Sequence, residues 1–178
     1  MDKFIIRRAV PDDAYGITYV NVHTWYTTYK GLMPDIFLEN RLKSIDERTI
    51  KVREWIVNGI NYLVAENSEK NDIVWMLIYW ASRNENYPNS WEIYAIYVLE
   101  EYQKLGIGKK LFFEWINELI KLGYNDMVIN VLDWNKTINF YEKYWWNVVW
   151  DRYDALGKIS IHEYIMYFKN LKDILKIK

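Results

Sequence analysis

Runs of apolar residues, rich in β-branched and aromatic side chains, mark seven strand-like segments in this chain. They are Phe4–Val10, Tyr62–Ala65, Ile73–Ala81, Trp91–Leu99, Met127–Leu132, Val148–Tyr153 and Lys158–Phe168. The polar turn over Asn67–Asn71 predicts a hairpin between the second and third segments, and the polar loop over Ser82–Ser90 leads into the fourth. These successive strands predict an antiparallel meander.

Helical patterns occupy most of the remaining chain. They cover Ala14–Trp25, a stretch that begins near Asp35, a stretch from Ser44 to Asn58, Gly106–Leu122 and Asn135–Trp145. Ser44 and Glu47 have the spacing of a capping box, which predicts that the third helix starts there. From Ile107 to Leu119 apolar residues recur at steps of four, which indicates a helix with one face packed on a sheet.

The resulting order, β-α-α-α-β-β-β-α-β-α-β-β, predicts one α+β domain over residues 1–178 with a mixed sheet. The first residues hold only a short apolar run before Arg7 and Arg8, so we expect no signal peptide. No apolar run reaches the length of about 18 residues that a membrane helix needs. We therefore expect a cytoplasmic protein without membrane partners.

Composition excludes several classes of function. The 23 Lys and Arg residues are balanced by 24 Asp and Glu, so the chain lacks the basic field that drives nucleic-acid binding. The absence of Cys excludes disulfide scaffolds, thiol catalysis and Cys-type zinc sites, and we expect no bound metal. Ten Trp against seven Gly is the unusual feature of the composition.

The segment from Gln103 to Lys110 lies between a predicted strand and a long predicted helix. Gly106 and Gly108 allow a tight turn, and the first amides of a helix have no partner within it, so they can donate to phosphate oxygens. Lys104, Lys109 and Lys110 add positive charge. The segment therefore predicts a phosphate-binding loop; the structural alternative is a tight turn without a ligand.

Two common phosphate loops fit this segment poorly. A Walker loop needs Gly where Gln103 stands and Ser or Thr where Lys110 stands. A dinucleotide fingerprint needs a third Gly where Leu111 stands, and an early parallel βαβ unit.

Three successive segments resemble the core motifs of the GNAT N-acetyltransferase superfamily. They are Glu92–Val98, Tyr102–Gly108 with the element Gln-x-x-Gly-x-Gly, and Asn135–Lys143. Ile6–Ala9 with Asp12 and Asp13 resembles the opening of the same superfamily, so the likeness spans almost the whole chain. Trp145 departs from the pattern, because the superfamily has Gly at that position.

The resemblance implies a mostly antiparallel sheet flanked by helices on both faces, and acetyl-CoA as the acetyl donor. Pyrophosphate would lie on the Gln103–Gly108 loop, and pantetheine along the strand that ends at Val98, as an added strand. The implied cofactor-binding residues are Ile96, Tyr97, Val98, Gln103, Lys104, Leu105, Gly106, Ile107, Gly108, Lys109, Asn135 and Tyr141. Asn135 has the alternative role of a helix N-cap, and the strand residues that of core packing.

Tyr141 matches a tyrosine that lies near the CoA sulfur in many relatives. A thiolate leaves more readily if a nearby acid protonates it, so Tyr141 is a candidate acid; the alternative is an aromatic packing residue. Glu92 matches a position where some relatives have a carboxylate base. The alternative is that Glu92 is an exposed charge at a strand end, and that a chain of water molecules removes the proton from the amine.

The acceptor side is less defined. His23, Trp25, Tyr26 and Tyr29 lie in the segment that builds the acceptor cleft in this superfamily, where aromatic walls suit an amine, although packing explains them equally well. Glu85, Glu100 and Glu101 would favour a cationic acceptor such as a polyamine, or form solvated charges. His162 has no partner in the sequence, and we expect it at the surface.

Together these residues predict an N-acetyltransferase that transfers acetyl directly in a ternary complex to a primary amine. The acceptor would be a small molecule such as a polyamine, or a protein N-terminus or lysine, and a homodimer is compatible with the pattern. The rival functions are a non-catalytic acyl-CoA-binding or sensing module and, third, a nucleotide-binding protein.

Overall fold

A computed structural model describes residues 3–133, 135, 137–143, 147–156 and 159–177. Its strands are β1 (Phe4–Arg8), β2 (Asn61–Asn67), β3 (Asp72–Ala81), β4 (Trp91–Val98), β5 (Met127–Leu132), β6 (Asn147–Leu156) and β7 (Ile159–Phe168). Its helices are α1 (Ala14–Tyr29), α2 (Asp35–Lys43), α3 (Ile45–Val57), α4 (Ile107–Lys121), α5 (Ile138–Glu142) and α6 (Leu171–Lys176). None of the helices in this described part is long and apolar enough to cross a lipid bilayer.

The strands form a seven-stranded sheet in the order β1-β2-β3-β4-β5-β7-β6. The pairs β1–β2, β2–β3, β5–β7 and β6–β7 are antiparallel, and β4–β5 is parallel. The predicted mixed, mostly antiparallel sheet is therefore confirmed, as is the hairpin between β2 and β3. All seven predicted strands are present, with ends shifted by a few residues.

Three local predictions need correction. Helix α3 does start after Ser44, as predicted, but the hydroxyl of Ser44 donates to the carbonyl of Arg41 across 3.1 Å and accepts from Nε of Arg48. It makes no capping hydrogen bond to α3, so that part of the capping-box prediction is wrong. Helix α5 begins at Ile138 rather than at position 135, and residues 144–146, with the departure at Trp145, lie outside the described part. Helix α6 was not predicted from the sequence.

The chain divides into two compact units that interleave along the sequence, and each is described by itself. The first comprises Met1–Tyr79 and Ala95–Phe112. Here α1 packs against α2 and α3, and Gly16 is needed because a Cβ at that position would stand 2.7 Å from Cγ1 of Ile73. The core of this unit includes the fully buried side chains of Ile17, Leu38 and Trp75.

An ion-pair network fixes the start of α1 in the first unit. The guanidinium of Arg7 donates to both carboxylate oxygens of Asp13, at 2.6 and 2.8 Å, and to Glu66 at 2.7 Å. Burial alone would raise the pKa of Asp13, but the hydrogen bonds from Arg7 and from the Val10 amide outweigh it and lower that pKa. The predicted acidic helix start is thus held by a charged partner on β1.

The second unit comprises Trp80–Tyr94 and Phe113–Lys178. The later turns of α4 bury Trp115, Ile116 and Leu119 completely, which confirms the apolar face read from the sequence. Leu171 and Ile174 of α6 are also fully buried. These side chains close the core of this unit against water.

Candidate functional site

The predicted phosphate loop follows the end of β4 in the first unit. The side-chain amide of Gln103 donates to the carbonyl oxygen of Val98 across 3.0 Å, and the hydroxyl of Thr24 reaches the same oxygen at 3.3 Å. The amide of the next residue, Leu99, donates to the carbonyl of Val74 across 3.1 Å. The end of β4 is therefore fixed from α1, β3 and the loop together.

The loop backbone has the shape that its glycines predicted. Gly106 has a φ of +77°, and no atom lies within 4 Å of the position that a Cβ would occupy, so open space adjoins the turn. Lys104 has a φ of +61°, an uncommon value for a residue other than Gly. Both residues are exposed, as are Gln103, Leu105 and Lys109.

Helix α4 starts directly after this turn. Its first backbone hydrogen bond runs from Lys110 to the carbonyl of Gly106 across 3.0 Å, so the amides of Ile107 and Gly108 precede the helical series. A Cβ at Gly108 would make only ordinary contact with Val98, at 3.7 Å. Open space, early helical amides and the lysines at positions 104, 109 and 110 together fit a diphosphate group.

The neighbouring backbone of β4 suits an extended ligand. Pairing of β4 with β5 covers only Trp91–Ile93, although β4 continues to Val98. Ile96, Tyr97 and Val98 are half-buried, which agrees with partial packing of their side chains in the first unit. A strand that continues past its paired segment can accept an added strand such as a pantetheine arm.

Aromatic side chains of α1 and α2 form a cluster beside Tyr97. The indole N–H of Trp25 donates to the Tyr97 hydroxyl across 2.8 Å, and its ring lies 4.7 Å from that of Tyr29 and 6.2 Å from that of Phe37. The guanidinium of Arg41 lies 4.1 Å above the Trp25 ring. Arg41 was not among the predicted site residues, because a single arginine on a helix surface carries no sequence signal of its own.

The other predicted acceptor residues, His23 and Tyr26, also lie on α1. The ring of His23 lies 3.9 Å from that of Tyr19, tilted by 32°. Burial lowers the pKa of His23, and the charge of Glu101 partly opposes that shift. The ammonium of Lys30 lies 5.5 Å from the ring of Tyr26, a cation–π contact.

In the second unit, Glu92 is only 1% exposed, so the alternative of an exposed strand-end charge is wrong. Its Oε2 accepts from the backbone amide of Arg83 at 3.0 Å and from Nε of Arg83 at 3.3 Å. Its Oε1 accepts from Nη2 of Arg83 and from the side-chain amide of Asn130, the latter at 3.0 Å. The bond to Glu92 also helps to raise the pKa of Arg83 against the lowering effect of burial. Four donors thus occupy the acceptor positions of this carboxylate.

Tyr141 is 1% exposed in the core of the second unit, and its ring lies 5.4 Å from that of Phe140. Asn135 accepts the backbone amide of Thr137 on Oδ1 across 3.0 Å, a local turn just before α5. The alternative role of Asn135 as the N-cap of α5 is wrong, because the N-cap residue of that helix is Thr137.

His162, for which the sequence indicated a surface position and no partner, has two carboxylate partners in the second unit. Its Nδ1 lies 3.0 Å from Oδ2 of Asp133, and its Nε2 lies 2.9 Å from Oδ2 of Asp151. Among the residues described, no group of three or more His, Cys, Asp or Glu side chains is arranged to hold a metal ion.

Comparisons with known proteins agree with this geometry. The family model described as an acetyltransferase (GNAT) domain matches residues 58–144. The uncharacterized N-acetyltransferase YuaI of Bacillus subtilis (strain 168) is 28% identical over 140 residues, which is 78% of each chain.

Two solved structures have the same fold. One is the PaiA N-acetyltransferase of Thermoplasma acidophilum in complex with coenzyme A, with a TM-score of 0.71, 21% identity, and coverage of 93% of this chain and 98% of that one. The other is YncA of Salmonella typhimurium with its cofactor acetyl-CoA, with a TM-score of 0.65, 18% identity and coverage of 93% of each chain. The predicted fold, a mixed and mostly antiparallel sheet with helices on both sides, is confirmed.

Proposed function

We propose that the chain, which is similar to GNAT acetyltransferases in sequence and fold, is an N-acetyltransferase that transfers acetyl from acetyl-CoA directly to a primary amine in a ternary complex. A small molecule is the first candidate for the acceptor, with a polyamine among the small molecules, and a protein N-terminus or lysine is the second. The family match runs through residues of both compact units, which supports one acetyltransferase domain over residues 1–178.

The open left-handed turn at Gly106, directly before α4, is the observation that carries this proposal. Backbone amides at the start of a helix favour anionic oxygens, and three lysines add charge of the right sign. The bond from Gln103 to Val98 holds the loop against the strand along which pantetheine would lie. In this proposal Gln103 to Lys109 bind the diphosphate, and the backbone of Ile96, Tyr97 and Val98 orients the pantetheine arm.

Tyr141 is the proposed acid. The thioester supplies an activated acetyl group, and its sulfur leaves as a thiolate unless it receives a proton. The hydroxyl of Tyr141 would give its proton to that sulfur as the C–S bond breaks. With reference pKa values of about 10 for the phenol and about 8.5 for the thiol, this transfer is uphill by about 1.5 units, a cost of about 2 kcal/mol that a positioned general acid can meet. Burial of this side chain supports the role, because a buried acid is shielded from exchange with bulk water.

Glu92 is the proposed base under one condition. Its carboxylate accepts four hydrogen bonds, so an oxygen must lose Asn130 or Arg83 before it can take a proton from the acceptor amine. If those donors stay in place, a water chain removes the proton and Glu92 positions β4. Asn135, already engaged with Thr137, remains a proposed contact of the cofactor arm.

Two measurements on the purified full chain test this function. Calorimetry should show acetyl-CoA binding, and incubation with a panel of amines should release free thiol. Binding without thiol release across the panel would favour the non-catalytic acyl-CoA module. Competition by ATP but not by CoA would favour a nucleotide-binding protein, and absence of acetyl-CoA binding to the folded protein would contradict the proposal.

A further inference from the structure

Arg41, near the end of α2, has an environment that cofactor binding and proton transfer do not explain. Its guanidinium lies 4.1 Å above the ring of Trp25 and 6.0 Å from that of Phe37. Its Nη2 donates to Oδ1 of Asn21 across 2.8 Å. Its Nε is buried without a hydrogen-bond partner, and within the described ranges no carboxylate lies at ion-pair distance from it.

The charged guanidinium of Arg41 is disfavoured in free energy by its surroundings. Burial, and to a smaller extent the charge of Arg48, lower the pKa of Arg41 to about 10, while Tyr97 and Tyr29 oppose the shift. The faces of Trp25 and Phe37 offset part of the cost, since an aromatic ring attracts a cation. A half-buried guanidinium that lies over an aromatic ring, and has no carboxylate partner among the described residues, is suited to binding an anionic group of a ligand.

The position of Arg41 connects it to the strand that would carry the cofactor. Trp25, which supports the guanidinium, donates to the hydroxyl of Tyr97 on β4. The next residue of β4, Val98, holds Gln103 and Thr24 through its carbonyl. All of these residues belong to the first compact unit, so a ligand group on Arg41 would lie beside the strand that orients the acetyl donor.

We propose that Arg41 binds an anionic group, a carboxylate or a phosphate, on the amine acceptor, so that the preferred acceptors are amines that carry an acid group rather than polyamines. This inference rests on the proposed acetyl transfer and names its substrate class. Nη1 makes no hydrogen bond within the described residues and is the donor that meets the anion, with the indole of Trp25 beneath it. Planar guanidinium donors suit both carboxylate and phosphate oxygens.

Matched acceptor pairs test the preference on the wild-type chain. Each of several L-amino acids is compared with its carboxamide, O-phosphoethanolamine is compared with ethanolamine, and spermidine is included as the polyamine. A neighbouring carboxylate makes an amine harder to deprotonate, so faster use of the acid cannot come from amine reactivity. We expect kcat/KM to be about tenfold or more higher for the acid member of at least one pair. The first set of pairs tests a carboxylate, and the second a phosphate.

Variants then assign the preference to Arg41. Arg41→Gln should raise the KM for the preferred acid about tenfold or more and leave kcat and the KM for acetyl-CoA nearly unchanged. Arg41→Met retains the contact with Trp25 and Phe37 and serves where the glutamine variant folds poorly. Arg53→Gln is the control, because Arg53 pairs with the exposed Asp12 at 3.0 Å. It should leave every constant within about twofold of wild type.

The outcomes separate the two proposals. Acetyl-CoA binding and thiol release with equal or better use of the carboxamides, ethanolamine and spermidine would overturn the role of Arg41 and leave the acetyltransferase proposal intact. Unchanged KM for the acid in a folded Arg41 variant would do the same. Failure of the wild-type chain to bind acetyl-CoA would overturn both. If neither variant folds, the wild-type preference across the matched pairs decides.

Discussion

Gln103 donates its side-chain amide to the carbonyl of Val98 across 3.0 Å, and so ties the first residue of the phosphate loop to the last residue of β4. The side chain is exposed, so the bond does not serve the core. It sets the distance between the two parts of the chain that would hold the diphosphate and the pantetheine arm.

Gln103→Leu should therefore weaken acetyl-CoA binding. Leucine keeps a similar length but lacks the donor, and loss of one hydrogen bond of about 1 kcal/mol corresponds to a roughly fivefold rise in Kd. Calorimetry measures this, with kcat at saturating acetyl-CoA nearly unchanged. Thr24→Val is the matched control, since it removes the longer bond to the same carbonyl from a residue outside the loop. Unchanged affinity in Gln103→Leu would contradict the prediction.

Tyr141→Phe should lower turnover without weakening acetyl-CoA binding. Phenylalanine fills the same buried space, so the fold is kept, while loss of the proton donor should reduce kcat by about 100-fold or more. Thiol release under saturating substrates measures the effect. Tyr167→Phe is the control in the same unit, because that hydroxyl donates to Asp126 across 3.0 Å. Equal turnover in Tyr141→Phe and wild type would remove the acid role.

Glu92→Gln should destabilise the second unit. An amide accepts on only one atom, and its NH₂ group would face donors from Arg83 or Asn130, so we expect a loss of about 2 kcal/mol in the free energy of unfolding. Urea unfolding measures it. The loss is below that of a fully buried pair because half of the Arg83 side chain is exposed. Unaltered stability would show that the four hydrogen bonds contribute little.

The turnover of the same variant shows whether Glu92 is the base that takes the amine proton. If Glu92 takes the amine proton, kcat of the folded Glu92→Gln protein should fall about 100-fold or more. If a water chain does so, kcat should stay within about tenfold of wild type. Asn130→Ser is the matched variant, because it removes one donor from Oε1 and leaves the carboxylate in place. A base role predicts that this variant keeps its turnover.

Local sequence patterns predicted the sheet well, because continuous apolar runs such as Ile73–Ala81 identify buried strands wherever they pair. The short helix α6 escaped notice because its six residues bury only Leu171 and Ile174. The Ser44 capping box failed because the end of α2, one residue earlier, offers the hydroxyl a competing carbonyl.

Only part of the candidate site could likewise be predicted from the sequence. The loop residues follow one another in the chain, so their spacing was visible in the sequence. The surroundings of Arg41 were not, because its partners Asn21 and Trp25 lie on another helix. The burial of Glu92 likewise depends on Asn130, from β5, and on Arg83, from the loop after β3. Such contacts between distant segments are set by packing, which a single sequence does not display.

His162 should make stability depend on pH. Its imidazole lies between Asp133 and Asp151 and stacks on Tyr153 with ring centres 4.5 Å apart. Hydrogen bonds to Asp151 and then Asp133 raise the pKa of His162 above the usual 6.5. The protonated form is therefore favoured in the folded state, so its contribution is fully present below about pH 6.5 and is lost as the pH rises through the folded pKa.

Urea unfolding of wild type and His162→Gln, at pH values below and above about 6.5, tests the direction of this pH dependence. The difference in the free energy of unfolding between the two proteins should be largest below about pH 6.5 and should shrink at higher pH. His23→Gln is the control of opposite sign, because burial lowers the pKa of His23 and its contribution is lost as the pH falls. A wild-type minus His162→Gln difference that stays constant with pH would contradict a charged bridge, and would leave His162 as a packing partner of Tyr153.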